Sequence, residues 1–351
     1  MSGKTAISWT DYSSNPIKYR DNETGRNVWA CVKKSAGCAN CYAEALALRW
    51  GNGRQFSRPN IAQVTPFLDE KEMARLLSPK AIPSGSKVFV GDMTDVFGSW
   101  VPDESLDRLF GVMALRPDVT FQLLTKRPER MAAYLTADTG EFGYGARSRI
   151  WWGARHYAEL ILHRNAYDAL PIGKPGMGPE GIYLRDWPLP NVWLGTSVEN
   201  QEAADARIPH LLQAPAAVRF LSCEPLLGSV DLMNVNYSAY LREFMRQAAG
   251  DKGAASVGDE AVLDVLHGTW DDGWDAGSDG KRLDWVIVGG ESGPKHRPMD
   301  LDWLASLVRQ CQSAGVPVWV KQDSGQHPGR QGRIPDALYV QQFPTVGVPS
   351  A

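Results

Sequence analysis

Short apolar runs rich in β-branched and aromatic residues recur along this chain, each breaking off into polar or glycine residues. They are KVFVGDMTD from Lys87, TFQLLTKRPER from Thr120, NVWLGTSVENQ from Asn191, VRFLSCEPLLG from Val218, LDWVIVGGESGP from Leu283 and PVWVKQDSG from Pro317. Runs apolar throughout suit strands covered on both faces, the condition of a parallel sheet. The stretches 104–115, 128–135, 201–212 and 301–314 between them have helical composition. This alternation indicates an α/β architecture. Six or seven such units favour closure over a doubly wound sheet, so the expected fold is one domain over 1–351, a partial (β/α)6-type TIM barrel.

In such barrels the C-terminal strand ends face the active site. Asp92, Asp95, Thr125, Lys126, Arg127 and Ser197 fall there, as do Glu199, Ser222, Glu224, Glu291, Ser292 and Lys321. Loop starts are polar in any fold, so position alone does not separate function from solvation.

Two stretches interrupt the rhythm and read as insertions. The first, 138–190, is rich in glycine, aromatic and basic residues (GEFGYGARSRIWWGARHY), and its length suits a lid or substrate surface. Its Arg147, Arg149, Arg155, His156, Trp151 and Trp152 suit either a polyanion or an ordinary solvated surface with packed aromatics. The second, 234–281, begins with a helical pattern (YLREFMRQAAG) and ends in turn-rich DDGWDAGSDGK.

Composition narrows the function classes. With 43% hydrophobic and 22% charged residues, whole-chain disorder is excluded. No stretch approaches the ~20 apolar residues of a membrane helix, and MSGKTAISWTDYSSNP lacks the apolar run of a signal peptide, so no membrane partner and a cytoplasmic location are expected. The net charge of −3, from 37 basic and 40 acidic residues, gives no global attraction to nucleic acid. Any such contact must use a local basic lining. The 13 tryptophans suit packing or base stacking equally.

Of the 5 cysteines, Cys31, Cys38 and Cys41 crowd one segment ahead of the helix-forming AEALALRW. Close thiols in a reducing compartment point to a metal site rather than disulfides. Three thiolates can hold three corners of a four-iron cluster and leave one iron open. A structural zinc site is the alternative. It requires a fourth protein ligand from Cys223, Cys311 or a histidine, none of which has paired metal-ligand spacing.

The ordered series SAGCANCYAEALALR, TFQLLTKRPERM, WLGTSVENQ, RFLSCEPLLG, VIVGGESGPKHRPMD and VPVWVKQ resembles a phage protein family known by its gene-product numbers, thirty-seven and sixty-eight. That family is similar to a branch of the radical S-adenosyl-L-methionine (SAM) superfamily. The superfamily's usual motif spaces its first two cysteines by three residues, whereas six separate Cys31 from Cys38; Cys38-x-x-Cys41 is standard. The aromatic residue that commonly precedes the last cysteine is Asn40 here, and Tyr42 follows instead as the aromatic candidate for cofactor binding.

The resemblance implies a 4Fe-4S cluster on Cys31, Cys38 and Cys41, with S-adenosyl-L-methionine on its open iron. It places Asp92, Ser197, Glu199 and Glu291 toward the cofactor; as alternatives, Ser197 caps the following helix and Asp92 caps a turn. Lys126, Arg127, Glu224, Arg297 and Lys321 are substrate candidates. Arg127 suits a bidentate grip on phosphate, and Glu224 and Glu291 suit pairing with Lys126 and Arg127 or accepting an amine. Ion pairs that merely order the strand ends would look identical. Lys126, Glu224 and Cys223 are the catalytic candidates, Cys223 as hydrogen donor or else as a small buried hydrophobe.

Fold and cluster do not select a reaction. Cys223 and Cys311 are too few for a second cluster, which favours single-cluster hydrogen abstraction. The phage setting implies isomerisation of an amino-acid-modified (glycyl-type) thymine in hypermodified DNA, with nucleic acid and a reductant such as flavodoxin or ferredoxin as partners. The alternatives are radical repair of a lesion or modification of an RNA base, and a non-catalytic zinc protein that binds nucleic acid.

Overall fold

The computed structural model describes residues 3–50, 53–137, 145–170, 184–272, 275–278 and 280–345. The chain divides into two compact units, Met1–Leu194 with Ala214–Ala217, and Gly195–Gln213 with Val218–Val346.

The first unit opens with strands β1 (Gly3–Lys4), β2 (Tyr12–Ser14), β3 (Ile17–Asp21) and β4 (Asn27–Val28). Helices α1 (Tyr42–Arg49) and α2 (Arg58–Ile61), strand β5 (Val64–Leu68) and helix α3 (Glu70–Leu77) follow. Then come β6 (Lys87–Val90), α4 (Asp103–Ala114), β7 (Thr120–Thr125) and α5 (Pro128–Thr136). Helices α6 (Ala146–Leu160) and α7 (Ala166–Ala169) precede β8 (Val192–Ser197), where the units divide.

The second unit contains α8 (Gln201–Gln213), β9 (Val218–Cys223), β10 (Val235–Asn236) and α9 (Ser238–Ala255). Strands β11 (Val262–Asp264), β12 (Thr269–Asp271) and β13 (Ala276–Ser278) come next. It ends with β14 (Trp285–Gly289), α10 (Leu301–Ser313) and β15 (Val318–Gln322).

The fold is mixed α/β, with an eight-stranded sheet ordered β1-β2-β6-β7-β8-β9-β14-β15. The pairs β2–β6, β6–β7, β9–β14 and β14–β15 are parallel, and β1 adds antiparallel at the edge. All six apolar runs are strands of this sheet. Their inward residues are buried, including Val88, Phe121, Leu194, Phe220, Ile287 and Val320. The expected helices appear as α4, α5, α8 and α10.

Strand β2 was not legible, because its sequence YSS carries no apolar signature. Its Ser14 is buried nonetheless, and its hydroxyl donates to Glu72 Oε2 of α3 at 3.0 Å. A side-chain acceptor offsets the desolvation that would otherwise exclude serine from the core.

The described part of 138–190 is built around α6, which packs on α4. A Cβ added at Gly111 would meet the Ala154 nitrogen at 2.3 Å, and one at Gly153 would meet the Asp107 oxygen at 2.3 Å. Glycine on each helix lets the two backbones touch. Trp151 is fully buried, and Arg147 donates to the Leu184 carbonyl at 3.0 Å. Arg149 reaches Asp107 at 3.3 Å and the Tyr134 carbonyl at 3.0 Å, while Arg155 pairs with Glu159 at 2.8 Å. Trp151 is thus packed and Arg147 and Arg149 take internal acceptors, while Trp152 and His156 stay exposed. The stretches 138–144 and 171–183 of this insertion lie outside the described residues.

In 234–281 the helical pattern is α9, and the turn-rich remainder forms an antiparallel sheet ordered β10-β11-β12-β13. Strands this short leave too little alternation to read from sequence. For the tryptophans, packing accounts for Trp9, Trp29, Trp151, Trp193, Trp285 and Trp319, all buried.

Because the added methyl of Gly111→Ala would strike main-chain atoms, the variant is expected to lose about 1–3 kcal/mol of unfolding free energy. Gly325→Ala, where nothing lies within 4 Å, should be nearly neutral. Urea unfolding followed by tryptophan fluorescence checks both.

Candidate functional site

The three cysteines lie on the segment between β4 and α1. Cys38 ends a single 3-10 turn (Ala36–Cys38), and Cys41 is the N-cap residue of α1. All three are free and partly buried. Behind them Trp29, Ala43, Ala47, Phe56 and Met93 form an apolar cluster against which Cys31 and Cys41 pack.

Polar anchors fix this segment on both sides of Cys31. Thr94 Oγ1 donates to the Ala30 carbonyl at 2.9 Å, and the Arg127 guanidinium donates to the Val32 carbonyl at 2.7 Å. Farther on, Lys33 pairs with Glu44 of α1 at 2.7 Å, and Lys34 with Glu129 of α5 at 2.9 Å.

Burial pushes the Cys31 thiol up to about 12, and the Asp95 carboxylate adds to the rise. The Asp95 main-chain N–H and the Arg127 charge oppose it. Burial also raises Cys41, against the pull of the Glu44 and Ala43 N–H groups in the first turn of α1. Cys31 feels the charge of Cys41, and Cys41 that of Cys38, so the thiols are electrostatic neighbours. Among the described residues no three potential ligands already stand in metal-binding geometry. The donor set itself, three unbridged thiols on one anchored segment, fits a soft metal or an iron–sulfur cluster.

The ends of β6 and β7 complete the arrangement. Gly91, at φ 86, turns the chain out of β6 where a Cβ would meet Val96 Cγ1 at 2.6 Å. The turn delivers Asp92, whose carboxylate accepts from Asn15 Nδ2. Its carbonyl accepts from the Tyr42 hydroxyl at 2.6 Å. Asp92 and Tyr42, both predicted for cofactor binding, are thus brought together beside Cys41. Burial pushes the Asp92 carboxyl up, opposed by the Asn15 hydrogen bond.

Asp95 has a larger part than its sequence position suggested. Its carboxylate accepts from Thr125 Oγ1 at 2.6 Å, the Lys126 N–H at 3.2 Å and Arg127 at 2.8 Å. Arg127, only 9% exposed, lies over the Trp100 ring, 4.8 Å from its centroid. Trp100 Nε1 in turn donates to the Tyr19 hydroxyl at 2.8 Å. Lys126 is half-buried next to this network.

In the second unit, strand ends carry ion pairs. Glu199 is 2% exposed and bonds Arg207 at 2.8 Å, and Arg207 also donates to the Ser197 carbonyl at 2.7 Å. The side chain capping α8 is Asn200, whose Oδ1 accepts from the Ala203 N–H at 3.0 Å, so the capping alternative for Ser197 is replaced. Glu224 bonds Lys321 at 2.6 Å, and Glu291 bonds Arg297 at 2.5 Å. The carboxylates expected to pair with Lys126 and Arg127 therefore take cations of their own unit, and Arg127 takes Asp95.

Asp323 with Arg333, at 2.8 Å, adds a pair that the sequence reading missed. Arg207 was missed too; its signal was an arginine on the otherwise apolar face of a helix following Glu199. Cys223 is fully buried, and burial raises its thiol strongly, with Cys311 and Glu199 adding to the rise.

Fold and site together define an α/β protein with parallel strands, strand-end ion pairs and an anchored three-thiol segment. The chain belongs to the family described as "Protein of unknown function (DUF5131)", whose model matches residues 4–335. No curated protein and no solved structure matches it.

Arg207→Met would leave the Glu199 charge buried without its partner, and should cost about 3–5 kcal/mol in chemical denaturation, much of it recovered in the double variant with Glu199→Gln. A second expectation concerns Cys31 in the metal-free chain. Since thiolate is the reactive form, iodoacetamide at about pH 8 should label Cys31 more slowly in the folded than in the urea-unfolded protein. The folded rate should climb until pH nears about 12. Equal rates by peptide mass spectrometry would contradict the assigned burial.

Proposed function

We propose that this protein is a radical S-adenosyl-L-methionine enzyme acting on a nucleic-acid base. In this reading Cys31, Cys38 and Cys41 hold three irons of a 4Fe-4S cluster, and the strand series is a partial (β/α)6-type barrel. The observation that carries it is the fastening of a free three-thiol segment, on both sides of Cys31, to residues at the ends of β6 and β7. Those C-terminal ends are where parallel α/β sheets place their ligands.

When bound, the cluster and S-adenosyl-L-methionine supply one-electron chemistry able to abstract hydrogen from an unactivated C–H bond. The protein's own residues orient and shield. Tyr42 and Asp92 define the cofactor side beside Cys41, and Lys126, half-buried at the end of β7, is kept as a substrate candidate. Arg127, already bonded to Asp95 and Val32, acts by shaping the site rather than by gripping phosphate.

Ser197, Glu199 and Glu291 keep their proposed cofactor role, with Glu199 working through Arg207. Glu224 and Lys321 present opposite charges at the ends of β9 and β15, and with Arg297 they are proposed to serve the substrate. Cys223, proposed from the sequence as hydrogen donor, is fully enclosed, so its burial favours the alternative of a small buried hydrophobe.

The substrate proposed is a glycyl-type modified thymine in DNA, isomerised without change in mass, with a flavodoxin or ferredoxin as reductant in the host cytoplasm. This choice rests on the family resemblance.

Anaerobic reconstitution with iron and sulfide should give a broad visible absorption and, on reduction, release 5′-deoxyadenosine from S-adenosyl-L-methionine. The Cys31→Ala, Cys38→Ala, Cys41→Ala triple variant should release none. One tightly held zinc and no cleavage would replace the enzyme with a binding protein. With DNA carrying modified thymines, nucleoside mass analysis should find an isomer of unchanged mass and altered retention. Loss of a crosslink would indicate repair instead.

A further inference from the structure

The geometry points to Asp95 and Arg127 as the residues that position Cys31 for metal binding. Arg127 clamps the Val32 carbonyl, one residue past the cysteine and the acceptor of the Cys31 thiol at 3.8 Å, and Asp95 holds the guanidinium in place. The inference deepens the proposed function and rests on its reading of the three cysteines as metal ligands.

Two nitrogens of one guanidinium do separate work: one meets Asp95 Oδ2 at 2.8 Å and the other the Val32 carbonyl at 2.7 Å. A lysine ammonium has no planar fork and cannot span both acceptors from one buried position. The Asp95 carboxylate is further held by Thr125 Oγ1 at 2.6 Å and by the Phe97 N–H at 3.1 Å. This fixes the guanidinium, and through it the Val32 carbonyl beside the Cys31 sulfur. Hydrogen bonds to a ligating sulfur, and the partners that orient it, set metal affinity and cluster potential. Asp95 and Arg127 touch no metal in this account; they act through Cys31.

Cadmium(II) alone serves as the probe, because thiolate-to-metal absorption reports binding to the metal-free chain without any turnover. Wild type should bind cadmium through its thiolates. Arg127→Lys and Asp95→Asn should bind about tenfold more weakly. Arg130→Lys should match wild type, since the Arg130 side chain bonds the Gly98 and Val101 carbonyls and Asp103 rather than the cysteine segment. Should Arg127→Lys fold poorly, the isosteric Asp95→Asn carries the test. A purely structural role would lower melting temperatures yet leave cadmium affinity unchanged in the folded variants, and that result overturns the inference. Absence of thiolate absorption in wild type would instead remove the metal reading beneath it.

Discussion

The buried guanidinium of Arg127 is the interaction on which the candidate site depends. The thiol-bearing segment has one 3-10 turn and otherwise no regular structure, so its backbone order must come from elsewhere. Fixing a residue's backbone costs roughly 1–2 kcal/mol, and this segment recovers that through side chains that reach its carbonyls. Arg127 is suited to the task because it brings several donors to fixed positions and stays charged when enclosed. Burying that charge requires a carboxylate, which Asp95 provides, and a flat surface, which Trp100 provides. Asp95 in turn needs Thr125 and the main-chain donors at the end of β7. Local sequence at two strand ends thereby decides where a distant cysteine sits.

The second unit follows the same electrostatic rule at its own strand ends. Glu199, Glu224, Glu291 and Asp323 each come with a cation: Arg207, Lys321, Arg297 and Arg333. A carboxylate removed from water without such a partner would be strongly penalised. The four pairs differ in accessibility. Glu199 with Arg207 is sealed and holds the chain where β8 leads into α8, whereas Glu224 with Lys321 keeps part of both side chains in solvent. That difference separates a residue that shapes a site from one that can meet a ligand.

The sequence was most readable where physics is local. Runs such as KVFV and WVIVG are apolar at every position because both faces are covered, and each proved to be a strand. It was least readable where polarity is offset by a distant partner. Strand β2 reads YSS, yet Ser14 is buried against Glu72 of α3, a partner that no pattern within the strand announces. The same holds for Asn15, whose hydrogen bonds to Asp92 and to the Met93 N–H fix the end of β6. For Glu224 and Glu291, pairing with Lys126 and Arg127 was one of several readings, and the structure gives them Lys321 and Arg297 instead, because side-chain pairing depends on register and not on rank along the chain. Capping was the alternative reading for Ser197; Asn200, three residues on, has the side chain that reaches the first turn of α8.

Mössbauer spectroscopy of the full chain, reconstituted with isotopically enriched iron under argon, tests the proposed cluster on Cys31, Cys38 and Cys41. The expected spectrum is that of a four-iron cluster in which one iron is distinct from three thiolate-bound neighbours, with a change in that iron's signal alone when S-adenosyl-L-methionine is added. Iron that fails to bind, or four equivalent irons indifferent to S-adenosyl-L-methionine, would contradict it.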